Sequence, residues 1–323
     1  MSTLTVSDIP LEAASPAQRL RRTAAAVRVS LHGWGTHKSL SASQKEEVGI
    51  TYAAAARFLT AGKKLLDTRH GAFRRLTSIR TRLVSYWRGL TLPYTEPGVR
   101  LIRQADIEPF VHTMEGFRDE LTRAEADLDA VYDEVGADAR RRLGRLDDPA
   151  DYPPRAQGLF GVAWDFPSVE PPAYLQRLSP ELYAQEQERV ARRFEEAVQL
   201  AEQAFISEFA RLVSHLAERL GDTAEGERRI FRDSAVTNLV EFLQRFRHLS
   251  VRSSQELDDL VEQAQQLVRG RTPPALRDDA GLRQQVATAM AQVQGQLEGM
   301  LVERPRRQLI RSGPSRNGGA STA

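Results

Sequence analysis

The chain has 323 residues, 41% of them hydrophobic and 27% charged, with no cysteine and a formal net charge of +2. Without cysteine there is no disulfide, no thiolate metal site and no cysteine nucleophile. With no basic-then-apolar leader, and no apolar run near the ~20 residues that span a bilayer, a cytoplasmic protein without a membrane partner is expected.

The small net charge hides a separation. Residues 1–103 are net +11, residues 104–303 net −14 and residues 304–323 net +5. Such a split points to an acidic partner for the first third, or to contact between the basic and acidic parts of the chain itself. Four of the 45 basic residues are lysines (Lys38, Lys45, Lys63, Lys64). The arginine excess is read as a GC-rich genome rather than as function.

In chain order, residues 1–15 are expected to be disordered. Residues 16–103 read as a basic helical region ending in a β-hairpin. Pro16 opens a helix through Leu20, Ala24, Val27 and Leu31, broken by Gly33 and Gly35 around Trp34. Ser43 and Glu46 form a capping box for a second helix through Ile50, Ala54, Phe58, Leu59, Leu65 and Leu66. A third, Phe73 to Arg88, carries Leu76, Ile79, Leu83 and Trp87 on one side, with Gly71 as a kink or a break before it. Leu90-Thr91-Leu92 and Val99-Arg100-Leu101 alternate apolar and polar around Pro93, Pro97 and Gly98, as in a short hairpin. Val162 to Phe166 alternates as well, and the three would make a small sheet.

Residues 104–227 read as a long helical hairpin with a Pro/aromatic connector at 147–178. In its first arm Ile107, Phe110, Met114, Phe117, Leu121, Ala124, Leu128, Val131 and Val135 alternate spacings of 3 and 4, an a/d seam over four heptads. Asp106 is the expected N-cap, and Pro109 falls in the first turn. The second arm opens at Ser179-Pro180-Glu181, carries a stripe from Val190 to Leu220 and ends at Gly221. Residues 228–302 read as C-terminal helices around Val236–Phe246, Leu257–Leu267 and Leu282–Met300, with breaks at Gly270 and Pro273-Pro274. Residues 303–323 are expected to be a disordered basic tail. The predicted fold class is therefore mainly α: a long antiparallel, coiled-coil-like helical hairpin, shorter helices, and a small β-hairpin or sheet at its base.

Catalytic patterns are missing. No two of the six histidines stand i, i+4, and no HExxH occurs. Ala61-Gly62-Lys63-Lys64 lacks the earlier glycine and the Ser/Thr of a phosphate loop. Asp127, Asp129, Asp133 and Glu134 read as the solvated face of the seam helix. The segment from Phe160 to Tyr174 reads as a connector with aromatics capping the hairpin base, or as a docking site. No catalytic residue, metal or cofactor is predicted. The functional lead is residues 57–88, with nine Lys/Arg and one acid, Asp67. On a continuous helix Arg57, Lys64, Arg75 and Arg82 would fall within about 20° of one another. They would form a partner-binding stripe for an acidic protein surface, for the protein's own acidic stalk or for a phosphate backbone.

A set of scattered positions adds a resemblance. It comprises Phe231-Arg232-Asp233-Ser234 with Asn238, Glu241-Phe242-Leu243, Phe246 and Glu256-Leu257, then Leu276-Arg277-Asp278, Leu282-Arg283 and Met300 to Arg306. Leu92-Pro93 before Gly98, and Leu159-Phe160-Gly161 before Trp164, complete it. Over most of residues 20–307 the chain resembles a bacterial family catalogued as domain of unknown function 3150. The resemblance implies genes beside a MoxR-type AAA+ ATPase and a protein with a von Willebrand factor A domain, often on mobile elements. It carries over no catalytic residues, and Asp233/Ser234 reads as a helix N-cap. The expected function is a non-enzymatic accessory or adaptor whose partner is a protein, the AAA+ ATPase or the von Willebrand-type protein. The alternatives are a nucleic-acid-associated protein of a mobile element and, last, an uncharacterised enzyme.

Overall fold

The computed structural model describes residues 13–221 and 233–303. The expectations for residues 1–12, 222–232 and 304–323 lie outside the described residues. The chain is mainly helical with a small antiparallel sheet. It divides into two compact units: residues up to Ala201 with Arg247–Ser253, and Glu202–Phe246 with the residues from Ser254 on.

Unit 1 is ordered from its first described residues, with Ala14 buried. Helix α1 (Pro16–Thr23) opens on a capping box: Gln18 N–H donates to Ser15 Oγ and Ser15 N–H to Gln18 Oε1. The helix does not run on to Leu31 as its spacing predicts. It gives way to strand β1 (Ala24–His32). Ala25, Val27, Val29 and Leu31 point toward the core, and Arg28, Ser30 and His32 stay exposed. The same apolar residues satisfy both a 3–4 and a period-2 pattern, and the β-branched valines tip the balance. The decision is also non-local, because β1 lies inside the sheet, between two strands that come later in the chain.

Strand β2 (His37–Ser39) precedes α2 (Ala42–Tyr52), whose capping box is Ser41 with Gln44 rather than Ser43 with Glu46. The long second helix is likewise replaced. Ala53 takes a left-handed conformation (φ 51°), and a 3-10 turn, Ala56–Phe58, and strand β3 (Gly62–Lys64) follow. Gly49 permits the reversal: a Cβ there would stand 2.6 Å from the carbonyl oxygen of Ala54. Strand β3 pairs with β2, and the chain then buries Leu65 and Leu66.

Helix α3 (Gly71–Leu90) starts at Gly71, with His70 Nδ1 accepting from Ala72 N–H. It leads into the expected hairpin of β4 (Thr91–Pro93) and β5 (Val99–Arg103), in which Leu92 faces Leu101. Gly98 supplies the left-handed turn residue (φ 81°).

The a/d seam is real as a buried face, but it falls on two helices, α4 (Ile107–Ala130) and α5 (Tyr132–Leu143), which meet at Val131. Phe110, Met114, Leu121, Ala124, Leu128 and Val135 are buried, and Ile107, Phe117 and Val131 half-buried. The expected pairing with the 180–220 helix is not confirmed. The seam residues join Phe73, Leu76, Ile79 and Leu83 of α3, and Val27 and Ile102 of the sheet, in one core that holds no residue of 180–220 among those described. An a/d pattern states which face must leave water, not which surface receives it. The stripe on α3 and the open face of the sheet meet that need. Asp106 does not cap α4: its Oδ2 lies 2.8 Å from His248 Nε2.

Strand β6 (Gly161–Asp165) completes a sheet of order β4-β5-β1-β6. Arg28 stands opposite Asp165, and their side chains pair at 2.5 Å. The short α6 (Tyr174–Leu178) leads to α7 (Pro180–Leu220), where Ser179 Oγ accepts from Leu182 N–H as expected. In the part of α7 within unit 1, Val190, Phe194 and Ala197 are buried, and Phe194 lies 5.7 Å from Tyr94, ring to ring.

Unit 2 contains the rest of α7, α8 (Ser234–Leu249) as far as Phe246, α9 (Gln255–Val268), α10 (Pro273–Asp278) and α11 (Ala280–Glu303). Its core gathers Phe205, Phe209, Phe242 and Phe246, with Phe209 stacked on Phe242 at 5.2 Å and Phe205 edge-on to Phe246 at 5.0 Å. Asp233 occupies the cap position of α8, its carbonyl accepting from Val236 and Thr237, while its carboxylate pairs with Arg277 at 2.5 Å. Pro273-Pro274 opens a short helix instead of only breaking one, because Thr272 Oγ1 accepts from Ala275 N–H and a proline at the first position gives up no needed donor.

Candidate functional site

The four stripe residues do not share a helix. Arg75 and Arg82 lie two turns apart on α3 and face the carboxylates of α4. Arg75 Nη1 lies 2.7 Å from Asp127 Oδ2; Arg82 pairs with Glu120 and lies over the Phe117 ring at 5.6 Å. These two arginines tie α3 to α4. Arg57 is on the 3-10 turn, exposed, with its guanidinium 5.1 Å from the centre of the Phe58 ring. Lys64 ends β3, exposed and with no polar partner among the described residues. The expected continuous stripe is thus two internal ties and two outward cations, because Ala53 and the following turn break the helix that would have aligned them.

The segment that carries Arg57 also exposes large apolar side chains. Ile50 is 83% exposed, Tyr52 76% and Phe58 78%. The sequence pattern places Ile50 and Phe58 on a buried helical stripe; the reversal at Gly49–Ala54 puts both in water instead. An isolated exposed apolar residue is ordinary, but three so close in one segment are not. Exposure was the missing signal, and periodicity carries none once the helix is broken.

The segment is anchored from beneath by a buried ion pair. Lys63 Nζ lies 2.6 Å from Asp151 Oδ2 and donates to the carbonyl of Leu146 at 2.6 Å, with the two charged side chains 3% and 2% exposed. Lys38 pairs with the other Asp151 oxygen, and Gln44 Nε2 donates to the same Leu146 carbonyl at 3.1 Å. Arg145 pairs with Glu47. Residues 145–151 therefore hold α2, β2 and β3 together. The Lys38 and Lys63 ammonium groups keep the Asp151 carboxyl below its ordinary range. Alongside, Trp34 lies 6.2 Å from Tyr132 and 6.3 Å from Tyr152, with Arg140 over Tyr152 at 4.7 Å. Burial, with Asp147 nearby, pushes the Tyr152 hydroxyl up to about 12.

Two carboxylates of α4 are also committed to backbone. Asp129 Oδ1 accepts from Ala156 at 2.8 Å and Gln157 at 3.3 Å, so it is not part of a solvated face. The buried Glu125 accepts from Phe160 N–H at 2.8 Å. Phe160 packs edge-on to Phe73 at 6.2 Å, as a connector aromatic should. With Lys63 spent on two acceptors and these acids on backbone donors, the polar groups act as fasteners. Among the described residues, no group of three His, Asp or Glu is placed to hold a metal ion, and no helix is long and apolar enough to cross a membrane.

Comparisons with protein-family models, curated proteins and solved structures return no match for the chain.

Proposed function

We propose that the chain is a non-enzymatic accessory protein that binds a protein partner through the surface of Ile50, Tyr52, Arg57, Phe58 and Lys64. The observation that carries this reading is the exposure of three large apolar side chains within residues 50–58. Holding them in water has no structural benefit to the chain alone, whereas aromatic residues flanked by arginine are what interface centres are enriched in. The charges of Arg57 and Lys64, unpaired among the described residues, call for a partner with an apolar hollow and an acidic rim. Arg75 and Arg82, being paired internally, are left out of the surface. The resemblance to the bacterial family supplies the partner to try first, a MoxR-type AAA+ ATPase or its von Willebrand-type companion from the same genome.

The test is calorimetric titration of the purified chain with those two proteins. The double variant Tyr52→Ala, Phe58→Ala is expected to weaken association tenfold or more. Arg75→Glu with Arg82→Glu should leave it unchanged. Association that survives the aromatic double variant would sink this reading. Binding to random DNA that falls steeply with salt and is lost in the same variant would replace it with the nucleic-acid reading, the rings then serving as base-stacking platforms.

A further inference from the structure

We propose that unit 1 carries a second site: a cleft beside α5 that binds a small phosphate-bearing molecule. The cleft encloses about 460 Å³, within the range of small-molecule sites. Lys64, Thr68, Arg69 and Arg142 line it, over apolar side chains that include the buried Leu66 and Ala139.

The charges within it are unbalanced. Asp67 also lines the cleft, but both of its oxygens are taken: Oδ1 accepts from Arg69 N–H at 2.9 Å and Arg69 Nε at 3.3 Å, and Oδ2 from Arg142 Nη1 at 3.1 Å. These contacts, the Arg69 backbone N–H foremost, lower the Asp67 carboxyl to about 2, so it stays ionised and fixes both guanidinium groups. Asp138 engages the outer side of Arg142 at 2.7 Å and Arg141 at 3.1 Å. Among the residues that line the cleft, three cations, Lys64, Arg69 and Arg142, thus face one carboxylate, Asp67. The excess of two positive charges matches the roughly −1.5 to −2 of a phosphate monoester better than the single charge of a carboxylate.

The donors that would receive a phosphate are present and unused. Among the described residues, the Lys64 ammonium and the Thr68 hydroxyl have no partner, and Arg69 contacts Asp67 through its Nε with no acceptor on its terminal nitrogens. Arginine is suited to oxyanions because its donors sit in a fixed fork. An organic group on the phosphate would then lie over Leu66 and Ala139. The cleft shares Lys64 with the proposed partner surface, but Ile50, Tyr52 and Phe58 take no part in it, so the Tyr52→Ala, Phe58→Ala variant should leave phosphate binding unchanged.

The experiment is calorimetric titration of the full chain at low ionic strength with phenyl phosphate, inorganic phosphate and benzoate. Phenyl phosphate is expected to bind one to one and about tenfold tighter than either of the others. Lys64→Ala and Arg69→Gln should each weaken it at least about fivefold with unchanged circular dichroism, both residues being exposed. Arg74→Gln, an exposed arginine outside the cleft, should change nothing. The proposal fails if no saturable binding appears at millimolar ligand. It fails equally if benzoate binds as well as phenyl phosphate, or if Arg74→Gln weakens binding as much as Arg69→Gln does.

Discussion

In unit 2 the rings of Phe205, Phe209, Phe242 and Phe246 meet one another, and aliphatic residues of α9 and α11 complete the core. In unit 1 the apolar core has polar fasteners around it: Lys63 on Asp151, Asp129 and Glu125 on backbone N–H groups, and Arg28 on Asp165 across two strands. The first arrangement is non-directional and depends on filled volume. The second is directional and depends on these groups keeping their partners. Single substitutions should therefore fail differently in the two units, and four of them sharpen or break the contrast.

The largest effect is expected from Phe242→Ala. The side chain is 1% exposed and has three ring neighbours, so truncation should cost about 3–5 kcal/mol, read from urea unfolding by far-ultraviolet circular dichroism. A loss under about 1 kcal/mol would show that volume is not what holds unit 2.

Next comes Asp151→Asn, which removes the counter-charge of a buried lysine while keeping its shape. The expected loss is about 3 kcal/mol. Tryptophan fluorescence reads it directly, since Trp34, Trp87 and Trp164 all belong to unit 1 and Trp34 packs against Tyr152. The same fasteners give unit 1 an acid dependence. Asp151, Asp165 and Asp67 have carboxyls lowered by Lys38 and Lys63, by Arg28, and by Arg69 with Arg142 respectively. A depressed folded-state value means the stabilisation is complete above the unfolded value of about 4 and is lost as pH falls through the folded one. The window for Asp67 therefore runs from about 4 down to about 2. Fluorescence-detected stability that stays flat across that window would break the contrast from the polar side.

The smallest effect is expected from Arg75→Ala and Arg82→Ala, about 0.2–1 kcal/mol each, because the two side chains are 62% and 54% exposed and solvent screens their ion pairs. Thermal melts should shift by only a degree or two. A much larger cost for either would mean that charge, not the seam, holds α3 to α4.

What could be read in advance follows the same division. Helices α8, α9 and α11 were legible because their burial repeats every three to four residues, whereas α10 was not, its Pro273-Pro274 reading only as a break. The hairpin Thr91–Arg103 was legible from alternation plus Pro and Gly. Strand β1 was not, because its valines and alanines satisfy two periods and its partners lie far along the chain. The seam on α4 gave the buried face but not the identity of α3 as its partner. Of the candidate surface, Arg57 and Lys64 were visible as charge, whereas the exposure of Ile50 and Phe58 depends on a reversal at Gly49 that no periodicity encodes. Asp151, one acid among many in the sequence, acquires its role only where three segments meet.

The fastener on Asp151 has a chemical consequence. All four lysines of the chain lie between Lys38 and Lys64, in the same stretch of sequence as the proposed partner surface. An amine-selective acylating reagent therefore has almost nowhere else to react. Lys64 stands open to it, Lys45 is half-shielded, and Lys63 is sealed in its ion pair. Fragmentation of peptides from the acylated protein, which maps each modified lysine, thus reads two events at separate sites: protection of Lys64 when something settles on it, and labelling of Lys63 when the pairing of β2 with β3 comes undone.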